Sequence, residues 1–469
     1  MRQDAQGGNF RFINWLAKGA RGLSPAYFAL VMATGIVSIA ADHAEFHTIA
    51  AVLLWLNAGQ YLVLWILTVW RLLHYRRALF DDLADHQSGP GFFSIVAATG
   101  VIASELILTG AFGLALALWI FGALLWIVLT YAIFTSLTIK ETKPTIEQGI
   151  TGAWLLAVVA TQSIALLSAL MSRHFQQPVR LHINFVALSM WLWGGMMYIW
   201  VILLIFYRYT FFKFAPADFS SSYWINMGAM AISTLAGSLL IENAADAAFL
   251  ESMLPFLKGF TIFFWATGTW WIPMLVILVA WRHLYMKFPL KYDPLYWGTV
   301  FPLGMYAVCT FEMVHAMNLD FLLPVAHVFV YVALLVWAAA FVGLIRSLGR
   351  SLNQHNAAEE RPQTNETPKR MSLSEYDTKE ALRAATDWLV ASKLPGSAAA
   401  REGIAGTMPL VMMGTVEPGD LDDLAAIVEK QGQAVYASAA PMDVQRAQLR
   451  EAVKAAFDYV RSLRHGAAQ

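Results

Sequence analysis

The chain has 469 residues, of which 58% are hydrophobic and only 14% charged, and its formal net charge is zero. Soluble domains carry about 25% charged residues, so this composition excludes an ordinary soluble domain, and the lack of a basic stripe argues against a nucleic-acid partner. The single cysteine, Cys309, excludes an intrachain disulfide and a Cys-based zinc centre. Nearly half of the 32 Lys/Arg and 32 Asp/Glu lie beyond residue 346, the pattern of an apolar membrane domain with a polar tail.

Residues 1–23 are basic and polar, with Arg2, Arg11, Lys18 and Arg21. The apolar run that follows lacks a short h-region and cleavage site, so it reads as a retained first span. Apolar runs recur at 24–41, 46–74, 91–110, 112–136, 150–172, 180–207, 221–241, 255–282, 294–317 and 322–346. Each approaches or exceeds the ~20 residues that a helix needs to cross the hydrocarbon. The connections on one side collect sixteen Lys/Arg, and those on the other hold Arg173, Arg180 and Lys258. The positive side is expected to be cytoplasmic, which places both termini in the cytoplasm of a multi-pass cell-membrane protein.

Odd and even spans differ in character. The first contains A-T-G-I-V-S-I-A-A, the third A-A-T-G-V-I-A-S and the seventh N-M-G-A-M-A-I-S-T-L-A-G-S, whereas the fourth reads W-I-F-G-A-L-L-W-I-V-L. Small residues allow close helix approach or leave open volume, and bulky ones suit lipid contact. The expected fold is therefore an all-α membrane bundle of five tandem hairpins, with an inner ring of odd helices and an outer ring of even ones. The candidate pore-lining positions are Gly35, Gly100, Gly152, Gly228, Gly237 and Gly304. The alternative is ordinary small-residue packing without a pore.

Residues 24–346 thus form the transmembrane domain and 347–371 a polar linker. Residues 372–469 form a small cytoplasmic helical module, with helices expected over 377–392, 420–431 and 443–463.

The first span reads F-A-L-V-M-A-T-G-I-V-S from Phe28 to Ser38, and the ninth Y-W-G-T-V-F-P-L-G-M-Y-A-V-C-T from Tyr296 to Thr310. With ten spans in hairpins, residues 20–346 resemble the tellurite-resistance/dicarboxylate transporter family. That family includes bacterial tellurite-resistance channels, yeast malate permease, fungal sulfite exporters and the plant guard-cell slow anion channel. The resemblance implies a pore through the five odd helices, a homotrimer with one pore per protomer, and a phenylalanine of the ninth span plugging the pore midway. Phe301 is the matching residue, immediately before Pro302, and Gly35 matches a small pore-lining position.

A proline inside a helix removes a hydrogen bond and kinks it. Pro302 could thereby push Phe301 toward an axis, where a ring closes a narrow apolar pore by steric block and dewetting. The alternative is a kinked helix with Phe301 in the core. No Lys or Arg sits centrally in an odd span, so selectivity falls to pore width, hydroxyl and backbone dipoles, and the positive rim. Glu105, Glu242 and Glu312 lie toward the outer span ends, with Asp42 beyond the first. Ionised, they would repel anions, and their protonation would favour anion entry at acid external pH. The alternative is that they satisfy helix ends and loops. Glu312 and His315 share a helical face and could form a proton-sensitive pair or a structural hydrogen bond. His43, His74, His182, His315 and His327 show no paired ligand spacing, so no metal, cofactor or enzymatic activity is expected. The expected function is passive or proton-linked passage of small anions across the bilayer, with dicarboxylates such as malate first by resemblance. The alternatives are efflux of sulfite, tellurium oxyanions or other inorganic anions, and a membrane sensor or scaffold whose tail carries the activity.

Overall fold

In the computed structural model of the chain, residues 19–289 and 292–359 are described. The module expected over 372–469 and the remainder of the linker lie outside them. Ten helices among the described residues are long and apolar enough to cross a membrane. They are α1 (Pro25–His43), α2 (His47–His74), α3 (Gly89–Leu108), α4 (Phe112–Ile139), α5 (Gly152–Ser172), α6 (Val179–Phe211), α7 (Ser221–Asp246), α8 (Leu254–Tyr285), α9 (Trp297–Met317) and α10 (Asp320–Ser351). Each begins and ends within about a turn and a half of its expected range.

Burial separates the two sets. Between 72% and 100% of the central window of each odd helix is buried, against 17% to 39% for each even one. The odd helices touch in a closed cycle, α1 to α3, α3 to α5, α5 to α7, α7 to α9 and α9 back to α1. Each even helix packs against the odd helix before it and also touches the odd helix after it, with α10 reaching α1. Side-chain size explains the division. The odd helices meet through glycine, alanine and serine, while the even helices turn residues such as Trp55, Ile66, Leu124, Val128, Leu203 and Leu335 outward. Outward apolar residues of this size are stable only where the surrounding solvent is itself apolar.

Local chemistry sets the connections. All odd helices start at one face, hereafter the near face, and end at the far face. At the far face three hairpins close tightly, each through a residue in the left-handed region: Glu45 (φ 63°), Gly110 (φ 79°) and Asn318 (φ 58°). Such turns leave no room for a neighbouring element between the two helices they join. At the near face every odd span is led in by a short 3-10 turn: Pro25–Phe28, Gly89–Phe92, Gly152–Leu155, Ser221–Trp224 and Pro294–Tyr296. The hydroxyls of Ser24 and Thr151 accept from the N–H groups of Ala26 and Ala153, covering two of the otherwise unpaired donors.

Two features depart from the sequence expectation. The helix of α10 continues as Leu323–Glu359, into the stretch expected to begin a linker. Those residues are polar, but no proline interrupts them before Pro362. A short amphipathic helix, Arg76–Leu83, follows α2. It is held by buried Leu79 and by the Arg71 guanidinium, which donates to Asp82 at 2.6 Å and to the Leu23 carbonyl at 2.8 Å.

Candidate functional site

Pro302 and its surroundings aim Phe301. The Pro302 ring lies against α7 at Gly228, where an added Cβ would stand 2.7 Å from the Pro302 Cγ. Two residues on, Gly304 meets α1, and a Cβ there would stand 2.9 Å from the Ile36 Cγ2. With α9 wedged on these two sides, Gly298, Phe301, Met305, Val308 and Glu312 fall on one helical stripe facing the centre of the ring. On α1 the stripe is Ala29, Met32, Ile36, Ile39 and His43, with the same spacing.

Two small cavities lie along these stripes. One, of about 30 Å³, is lined by Ala29, Met32, Leu156, Ile225, Gly298 and Phe301 among others, from the near-face half of four odd helices. The other, of about 60 Å³, is lined by Ile36, Val101, Leu166, Leu235 and Met305 among others, and draws on all five odd helices. Met32 and Phe301 line the first, and Ile36 and Met305, one helical turn further along, line the second. The level between them is closed, with Phe301 only 1% exposed. Both cavities are almost wholly apolar, interrupted by Ser222 on one side and by Ser104, His43 and Glu312 on the other.

Each cavity leads toward a wider one. At the near face an open vestibule of about 620 Å³ shares Ala26, Ala153, Ser222 and Leu295 with the inner cavity. At the far face an open pocket of about 390 Å³ shares His43 and Glu312 with the outer cavity, and includes His315 and Asp320.

The structure distributes the expected site residues differently from a single cluster. Glu312 accepts from or donates to His43 Nε2 at 2.8 Å rather than pairing with His315 three residues away. The reason is geometric: His43 ends the α1 stripe directly across from Glu312, whereas His315 turns to the open far-face pocket. Glu242 pairs with Arg173 at 2.6 Å, and Arg173 also donates to Asn243 at 2.8 Å. Glu105 faces away from the cavities, where its Oε2 accepts from Asn57 of α2 at 2.7 Å and its Oε1 is buried without a partner. Asp42 meets His47 at 2.9 Å. His74 stacks on Trp70, His327 lies edge-on to Phe311, and His182 is exposed.

Each of the six glycines has a neighbouring helix or turn where its Cβ would stand. Gly35 meets Asn57, Val101 and Glu105; Gly100 meets Ser163; Gly152 meets the Ser222–Tyr223 backbone; Gly237 meets Thr261 and Trp191. Gly228 and Gly304 meet Pro302 and α1 as above. Their small size therefore sets helix spacing, while larger apolar side chains line the cavities. Apart from Phe301, sequence reasoning missed those residues, yet the i, i+3, i+7, i+10, i+14 spacing on α1 and α9 carried the signal. It also passed over the near-face turns, whose recurrence is visible as P-A-Y-F, G-P-G-F, G-A-W-L and S-S-Y-W.

Comparison with known proteins agrees with this architecture. A family model described as voltage-dependent anion channel matches residues 22–345. An uncharacterized membrane protein of Mycobacterium tuberculosis is 36% identical over 159 residues, 34% of this chain and 80% of that protein. Two uncharacterized transporters of Methanocaldococcus jannaschii are similar over longer stretches. One is 24% identical over 298 residues, 61% of this chain and 83% of its own length. The other is 23% identical over 304 residues, 60% and 81% respectively. With the match running from before α1 into α10, the chain belongs to the voltage-dependent anion channel family.

Proposed function

We propose that the chain passes small anions along the axis of its odd helices and that Phe301 closes this path. Anion transport across a membrane follows from the family; the gate and the substrate are this reading's own. The observation that carries it is the pair of apolar cavities, in line and separated at the level of Phe301. An apolar constriction can close a path to ions by dewetting. The lining holds no Lys or Arg, so an anion meets no deep well and leaves readily. The Lys/Arg distribution supports a cytoplasmic near face in a cell-membrane protein, and the family resemblance supports a homotrimer.

Dicarboxylates such as malate stand first by that resemblance. A second reading, passage of sulfite or another compact inorganic anion, draws support from cavity size. The cavities hold about 30 and about 60 Å³, against the ~10–15 Å³ that seats one water molecule, so each takes a few waters or one compact ion. Flux of malate, sulfite and nitrate into proteoliposomes, compared between wild type and Phe301→Ala, tests both points. Loss of the ring is expected to raise basal flux severalfold for the anions that pass. Equal flux in equally folded proteins removes the gate, and the order of rates names the substrate class.

A further inference from the structure

The near-face vestibule contains a feature that passage through an apolar path does not require. Among its described lining residues Arg208 is the one basic side chain, and it is 6% exposed. Burying a guanidinium is costly unless its donors are used. Arg208 Nη1 donates to the Tyr223 hydroxyl. Its Nη2 stands 3.8 Å from Asp218 Oδ1, beyond hydrogen-bond reach, while Asp218 Oδ2 is taken by the N–H of Ala215 at 2.8 Å. Arg208 Nε is buried without a partner. A guanidinium offers five N–H donors in a planar fork; here Nη1 is taken by Tyr223, Nη2 makes only a long ion pair with Asp218, the group lies over the Phe214 ring at 5.5 Å, and Nε is left free.

The rest of the vestibule suits the same ligand. Ser220 and Ser222 place their hydroxyls 2.7 Å apart on its wall. Ser24, Gly91, Thr151, Ser222 and Leu295 bring in the starts of all five odd helices. Five helix dipoles therefore present their positive ends to one concavity. The opposing charges are Asp218 and the half-buried Glu147.

We propose that the vestibule binds a small carboxylate or oxyanion on Arg208, assisted by Ser220 and Ser222, and so loads the path from the near face. This rests on the reading of the path given above, and Asp218 then acts as a built-in competitor for the guanidinium. An alternative role for Arg208, tying the end of α6 to the following loop, makes the opposite prediction for Asp218: its loss would loosen the site rather than free it.

The test is equilibrium binding of radiolabelled malate to the full-length purified protein, with nitrate as competitor. Wild type is expected to bind saturably. Arg208→Gln is expected to weaken binding by about tenfold or more, the scale of one charge-assisted hydrogen bond. Arg208→Lys, which keeps the charge and guards against misfolding, should weaken it less. Asp218→Asn should tighten it. Malate and nitrate affinities unchanged in both Arg208 variants, weaker binding in Asp218→Asn, or no binding of either anion to wild type would each overturn the proposal. Flux through Phe301→Ala is read separately: its absence removes the transport reading, whereas binding that responds to Arg208 and Asp218 as stated still establishes the site.

Discussion

Phe301 owes its position to its neighbours. Pro302 has no N–H to give and no room on the α7 side except beside Gly228, so the preceding ring turns to the axis. Adding a methyl at Gly228 should therefore misplace the proposed gate as well as strain the core. Gly228→Ala is expected to lower the unfolding temperature in detergent and raise basal anion flux together, whereas a purely structural defect lowers both. At the far end of the same stripe, His43 sits 2.8 Å from Glu312 on the wall of the outer cavity. His43→Gln leaves that carboxylate without its basic partner in a confined apolar space, where like charge repels strongly. Anion flux should fall in His43→Gln and recover in the His43→Gln/Glu312→Gln double variant, with stopped-flow flux assays giving the comparison.

At the scale of elements, glycines set how closely the helices approach. A Cβ on Gly152 would stand 2.6 Å from Tyr223 Cα, against rigid backbone, whereas nothing lies within 4 Å of one on Gly59. Gly152→Ala is expected to destabilise by at least about 1–3 kcal/mol, the usual cost of overpacking. Gly59→Ala, on exposed α2, should be neutral or slightly stabilising because alanine is the better helix former; thermal unfolding of both separates the cases. The near-face turn before α3 carries a pH response. Partial burial raises the Asp85 carboxyl, but the N–H groups of Ser88 and Gln87, at 2.9 and 3.0 Å, outweigh it and hold the group below its ordinary range. Burial and then the nearby Lys140 push the His86 imidazole down as well. Both groups bind protons more readily unfolded than folded, so the turn keeps its full stability above pH of about 6.5 and loses it in two steps on acidification. Amide protection factors across residues 84–89, taken against the intrinsic rate at each pH, should fall first as His86 protonates and again below about pH 4 as Asp85 does.

For the whole molecule, the ring of odd helices is closed upon itself by the contact of α9 with α1, and α10 covers that seam. The helix ring is thus complete within the described residues of a single chain. Truncation after Glu359 is expected to leave anion flux in proteoliposomes unchanged, whereas a sensor or scaffold acting through its tail would lose its activity. Native mass spectrometry of the full chain in lipid is expected to give three copies.

The ten spans, their alternating direction and the inner and outer sets were legible in the chain because each rests on a local property. Length and apolarity suffice for a membrane span, Lys/Arg counts for alternation, and side-chain size for which helices can approach closely. The F-P-L-G stretch singled out Phe301 chiefly through the family resemblance, with the kink expected at Pro302 in support. Partnerships between distant residues were a different matter. That Glu312 meets His43 instead of His315, that Glu105 turns to Asn57, and that Gly35 spaces helices all depend on rotation about helix axes. That rotation is decided when all five odd helices close their ring together, and no single helix carries the information. The vestibule follows the same rule. Arg208, Asp218 and Tyr223 belong to the end of α6, the loop after it and the start of α7, and only the tertiary structure gathers the five helix starts around them.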